Sequence, residues 1–170
     1  MSLSPGPTDG MAPVLVIGIG NPSRGDDAIG PLAIEHLEAH GLPDTELLTD
    51  FQLQVEHALD LVGRREVVFI DAAATGPEPF EFTPVSPAAH AGAISHALTP
   101  AAVLEAFVRV ADAPLPAAFV LAVRGYDFEL GASLSDAAAE NLKAALQMLV
   151  ARLAATPHPR VPSGADQGHA

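Results

Sequence analysis

The sequence predicts an α/β fold: a three-layer sandwich with a mainly parallel, five-stranded twisted sheet and helices on both faces. Three observations predict it. Short apolar runs without alternation recur along the chain, and such runs mark strands covered on both faces. Segments of helical spacing lie between them, in the order β-α-β-α-β-(β)-α-β-α that builds parallel sheets through crossovers. Glycines close two of the helical segments, and no internal repeat points to a solenoid or propeller.

The first strand is "VLVIGIG", Val14 to Gly20. A helix from Ala28 to His40 follows, with Ile29, Leu32, Ala33 and Leu37 at helical spacing and Gly41 closing it. "TELLTD" is a second strand ending at Asp50, and "QVEHALDLVG" a short helix, also closed by Gly. "EVVFIDA" is a third, buried strand. "FEFTPV" is read as an edge strand, because Pro84 cannot donate to a central ladder. A loop from about Ser86 to Leu98 leads into a helix from Pro100 to about Val110. "AAFVLAVRG" is another buried strand, and "SLSDAAAENLKAALQMLVARLA" a long final helix capped by Ser133 or Ser135.

At 170 residues the chain is expected to form one domain, over residues 12–155. Residues 1–11 and 156–170, rich in Pro, Gly and polar side chains, are expected to be flexible. Apolar residues make up 49% and aromatics only 5%, so the core should be aliphatic. A formal net charge of −13 argues against nucleic acid and against an anionic membrane surface. The absence of cysteine excludes a thiol nucleophile, a disulfide framework and thiolate zinc sites. With no apolar run of membrane-spanning length and no signal-peptide pattern, the expected location is the cytoplasm.

The loop in "VLVIGIGNPSRGDDAIG" carries the chemistry. Right-handed crossovers in a doubly wound sheet set the first and third strands side by side, with the second outside the first. The loops after Gly20 and Ile70 then share the crevice at the carboxyl ends, and Asp27 and Asp71 both open onto it. A dinucleotide module is one alternative. "GIGNPS" begins like G-x-G-x-x-G, and Asp50 lies where a ribose-binding acid would. Against it, Ser23 takes the third glycine position, Pro22 sits where the cradling helix should start, and Asp26 and Asp27 would repel a pyrophosphate. Helix capping by the two acids is the other alternative. One acid can cap, but capping does not explain two.

"GIGNPSRGDDAIGPLAIEHL", "VVFIDAA" and "AISHALTP", together with the late strand and "RGYDFELGASLS", resemble the hydrogenase maturation endopeptidases. The likeness covers roughly Val14 to Leu153, and Gly-Asn-Pro followed by Gly-Asp-Asp is its most specific part. The resemblance implies a hydrolase that removes the C-terminal extension of a nickel–iron hydrogenase large-subunit precursor after nickel insertion. It implies that the bound nickel is recognised by Asp27, Asp71 and His96, which are needed for cleavage, with their proton-transfer roles unassigned. Some relatives have Glu at the first of these positions. No tightly held cofactor is implied, since nickel arrives with the substrate; the partner is the nickel-loaded large subunit, and a monomer is expected. A non-catalytic, nickel-recognising maturation chaperone is the alternative, ahead of the nucleotide-binding module.

The residue types fit that chemistry without the family. Two carboxylates and an imidazole suit a divalent metal, nickel, zinc, copper and iron among them. No H-E-x-x-H, G-x-S-x-G or Walker loop offers a standard hydrolytic route. Three mechanisms stay open: nickel as Lewis acid, Asp27 or Asp71 as general base, or two aspartates sharing a proton. His90 is the competitor of His96 in the same loop. His36, His40 and His57 are expected to face solvent from helices, and His158 and His169 belong to the tail. Asn21 is expected to stabilise its turn, and "FQLQVEHALDL" to help choose the substrate.

Overall fold

The computed structural model describes residues 10–89 and 98–155. Its sheet has five strands: β1 (Val14–Ile19), β2 (Thr45–Asp50), β3 (Glu66–Ala73), β4 (Phe80–Pro84) and β5 (Ala117–Arg124). Their order across the sheet is β2-β1-β3-β5-β4. All neighbours are parallel except β4, which pairs antiparallel with β5 at the edge and ends on Pro84. The expected topology and the expected edge strand are both found.

Among the described residues, four α-helices complete the layers: α1 (Ile29–His40), α2 (His57–Asp60), α3 (Pro100–Val110) and α4 (Asp136–Ala155). Successive residues of β1 serve opposite faces, as strand geometry requires. Val14 and Val16 pack with Ile29, Ile34 and Leu37 of α1 and Leu142 and Leu149 of α4. Leu15, Ile17 and Ile19 pack with Ala58 and Leu61, and with Val103, Leu104 and Phe107 of α3. This two-sided covering is why the strand has no polar alternation. Each fully buried Leu, Ile or Phe contributes about 1.5–3 kcal/mol. Among the described residues, no helix is long and apolar enough to cross a membrane.

The helix ends differ slightly from expectation. Regular α1 starts at Ile29 because Gly25–Ala28 forms a 3-10 turn first. Gly41 ends it in the left-handed conformation, φ 73°, with its N–H donated to Leu37 O. Of the two serine candidates, Ser135 caps α4, its Oγ accepting from Ala138 N–H at 3.2 Å. The helix expected over "QVEHALDLVG" is regular only from His57 to Asp60.

One contact fixes the position of the site. A Cβ on Gly18 would lie 2.4 Å from Gly30 O, and one on Gly30 would lie 2.2 Å from Ile19 O. Two bare backbones therefore touch where α1 crosses β1, which draws the Asp26–Asp27 turn down onto the carboxyl edge of the sheet.

Candidate functional site

The loop after β1 is folded around its own acids. Asn21 Oδ1 accepts from Ser23 N–H at 2.9 Å, the turn-stabilising role expected of it. Asn21 N–H donates to Asp27 Oδ2 at 2.7 Å. Gly20, at φ 149°, has no room for a side chain: a Cβ there would meet Asp27 O at 1.9 Å and lie 3.4 Å from Asp27 Oδ1. The half-buried Asp27 carboxylate is thus held beside the end of β1.

Asp71 stands at the matching level of β3. β1 ends at Ile19, whereas β3 runs on beside β5 to Ala73, so Asp71 stands on its strand just past the last pairing with β1, Gly18 with Ile70. Asp71 Oδ1 accepts from Ala72 N–H at 2.8 Å. Burial pushes the Asp71 carboxyl up to about 7, the Ala72 N–H pulls it back, and the negative charge of Asp27 adds to the rise. The two carboxylates therefore lie near enough for one charge to act on the other. Among the described residues, no three His, Cys, Asp or Glu side chains form a ready metal set. The third expected member, His96, lies outside the described residues, as do His90, His158 and His169, residues 1–9 and the whole 156–170 tail.

Asp26 has a different task, which the capping alternative misses. Neither the 3-10 turn nor α1 has a side-chain cap. Asp26 is fully buried. Its Oδ2 accepts from Tyr126 N–H at 2.7 Å, Asp127 N–H at 3.1 Å and Ser135 Oγ at 2.8 Å. Its Oδ1 accepts from Ser135 N–H at 2.7 Å. Burial alone would raise this carboxyl, but the donors from Ser135, Asp127 and Tyr126 outweigh it and hold it below the usual range. The backbone reinforces the clamp: Asp26 N–H donates to Asp127 O at 2.7 Å and Gly25 N–H to Ala132 O at 3.1 Å. Gly125 is needed beside it, since a Cβ there would lie 2.9 Å from Asp26 Cβ. The sequence signal was the doubled acid itself, because adjacent residues on a tight turn point different ways.

A correction concerns the helical histidines. His36 and His40 are exposed as expected, but His57 is buried. Its Nδ1 accepts from Gln54 N–H at 2.8 Å, satisfying a backbone donor ahead of a four-residue helix. Its Nε2 lies 3.3 Å from Asp50 Oδ2 at the end of β2. Local turn chemistry, absent from helical periodicity, takes the ring inward.

No family model and no curated protein matches the chain. Solved structures do. The [NiFe] hydrogenase maturation protease HycI of Thermococcus kodakarensis superimposes with a TM-score of 0.67 at 24% identity, covering 85% of this chain and 94% of its own. The hydrogenase maturating endopeptidase HybD of E. coli gives 0.65 at 24% identity, covering 83% and 91%. An E. coli endopeptidase solved in solution gives 0.62 at 23% identity, covering 82% and 91%. The chain has the fold of the hydrogenase maturation proteases, the family that its opening motif resembles.

Proposed function

We propose that this chain is a cytoplasmic, monomeric endopeptidase that removes the C-terminal extension of a nickel–iron hydrogenase large-subunit precursor once nickel is in place. The observation that carries the reading is the Asp27–Asp71 pair at the carboxyl edge of the sheet, close enough for one charge to raise the other's pKa. Structural likeness to named maturation endopeptidases supports it. Under this reading Asp27, Asp71 and His96 recognise the substrate's nickel, and the protein itself holds no metal between turnovers. Asn21 N–H and Ala72 N–H each occupy one acceptor position on their carboxylates and leave others for a cation. The same Asn21 contact disfavours a nucleotide module, because the amide that a phosphate would need already serves a carboxylate.

The test is incubation with a nickel-loaded precursor and, separately, a nickel-free one, followed by mass spectrometry. Release of a C-terminal peptide from the loaded precursor alone is expected. Cleavage of both would refute nickel recognition, and binding without any released peptide would favour the chaperone. Asp27→Ala, Asp71→Ala and His96→Ala should each abolish release while leaving the circular dichroism spectrum unchanged. A variant that still cuts removes its residue from the set.

A further inference from the structure

At the carboxyl ends of β1 and β2 lies a depression of about 330 Å³ lined by Gly20, Pro22, Pro31, Thr49, Asp50 and Phe51. That is the small end of ligand pockets, about 300–1,000 Å³, and suits one side chain. Two proline rings and Phe51, which is 68% exposed, supply apolar walls. Asp50 supplies the charge, and no lysine or arginine lines the depression.

The Asp50 carboxylate is fixed from two sides. Oδ1 accepts from Phe51 N–H at 2.7 Å, and Oδ2 lies 3.3 Å from His57 Nε2. Because His57 Nδ1 accepts from Gln54 N–H, the ring proton is on Nε2, the nitrogen beside Asp50. A carboxylate offers about four acceptor positions, so Asp50 has positions left for a ligand. An anionic side chain would be repelled by Asp50, and an apolar one would bury a carboxylate without a new partner. A guanidinium meets every surface present: its fork pairs with a carboxylate, its plane stacks on an aromatic ring, and its stem covers proline.

We propose that this depression is a subsite for a guanidinium-bearing side chain of the substrate polypeptide, with Asp50 as binding residue and His57 as the residue that positions it. The assignment rests on the endopeptidase reading for its ligand's source. It predicts a preference that can be measured without the precursor.

The probes are Nα-acetyl-arginine amide and its neutral isostere Nα-acetyl-citrulline amide, titrated against the ¹⁵N-labelled protein. The arginine probe should move the amides of Gly20, Thr49 and Phe51 and bind about fivefold more tightly than citrulline, the scale of a half-exposed charge pair. Asp50→Asn should erase the preference, and Glu38→Gln, a change on the exposed side of α1, should leave it. With the nickel-loaded precursor, Asp50→Asn should raise KM about fivefold at unchanged kcat. His57→Gln, which keeps a hydrogen-bonding side chain, should shift KM the same way by less. Equal binding of the two probes, shifts away from the depression, or an Asp50→Asn protein that keeps the preference would overturn the proposal. Failure to process any precursor would instead strike the endopeptidase reading, and the probe titration would still decide the subsite.

Discussion

Replacing Asp71 by Asn removes an ionisation that the folded chain resists. Burial, with a smaller push from Asp27, lifts this carboxyl from 3.8 to about 7 against the pull of Ala72 N–H. The folded state therefore binds the proton more tightly than the unfolded chain does. The resulting stabilisation is complete below pH 3.8 and is lost as the pH rises through about 7. The gap between those values is worth about 4 kcal/mol, a ceiling that partial exposure of the carboxyl reduces to about 2 kcal/mol. Asn cannot ionise, yet its carbonyl can still accept from Ala72 N–H. Asp71→Asn should thus be inactive but more stable than the parent by about 2 kcal/mol near pH 8, with the gain gone near pH 4. Urea denaturation of both proteins across that range measures it, and the difference isolates one group because all others titrate in both. A difference that does not vary with pH, or a variant less stable than the parent near pH 8, would refute the reasoning.

Asp26→Asn should behave in the opposite sense. It turns an NH2 donor toward groups that already donate, costing about 3 kcal/mol by urea denaturation near neutral pH. Because the Asp26 carboxyl is held below 3.8, the parent loses this advantage as pH falls beneath that value, and the two proteins should converge there. Gly30→Ala puts a Cβ 2.2 Å from Ile19 O, so α1 must back away from β1 at about 1–3 kcal/mol. The same change should lower processing kcat, because it moves the turn that carries Asp27; an unaltered kcat would argue that the crossing does not position the site.

Features set by local pattern were legible in the sequence. Val14–Gly20 and Glu66–Ala72 read as central strands from their unbroken apolar runs, and Pro84 marked an edge because it cannot donate to a central ladder; β1, β3 and β4 stand accordingly. The meeting of Asp27 and Asp71 followed from topology alone, since parallel crossovers put β1 beside β3. What was illegible depends on partners distant in sequence or on turn geometry. Asp26 finds its donors 100 and 109 residues away, beyond any local rule. His57 takes an outward-looking place in a short helix, but the Gln54 N–H and Asp50 draw it inward. His96, which the motif resemblance singles out, lies outside the described residues.

The doubled acid divides into a fixture, Asp26, and a carboxylate held beside the end of β1, Asp27. The negative charge of Asp27 opposes ionisation of Asp71 and adds, after burial, to the rise of its carboxyl. A loop free to relax would swing Asp27 into solvent and dissipate that repulsion. Asp26 prevents this, because its four charge-assisted contacts bind the loop after β1 to the loop after β5, on the far side of β3. Gly20 and Gly30 add a steric floor beneath the turn. Under the proposed reading, repulsion retained in this way would favour a divalent cation that arrives with the polypeptide, since Asp27 and a deprotonated Asp71 would then share its charge. The clamp at Asp26 and the opposition at Asp71 are therefore two halves of one device, and weakening the first should relax the second.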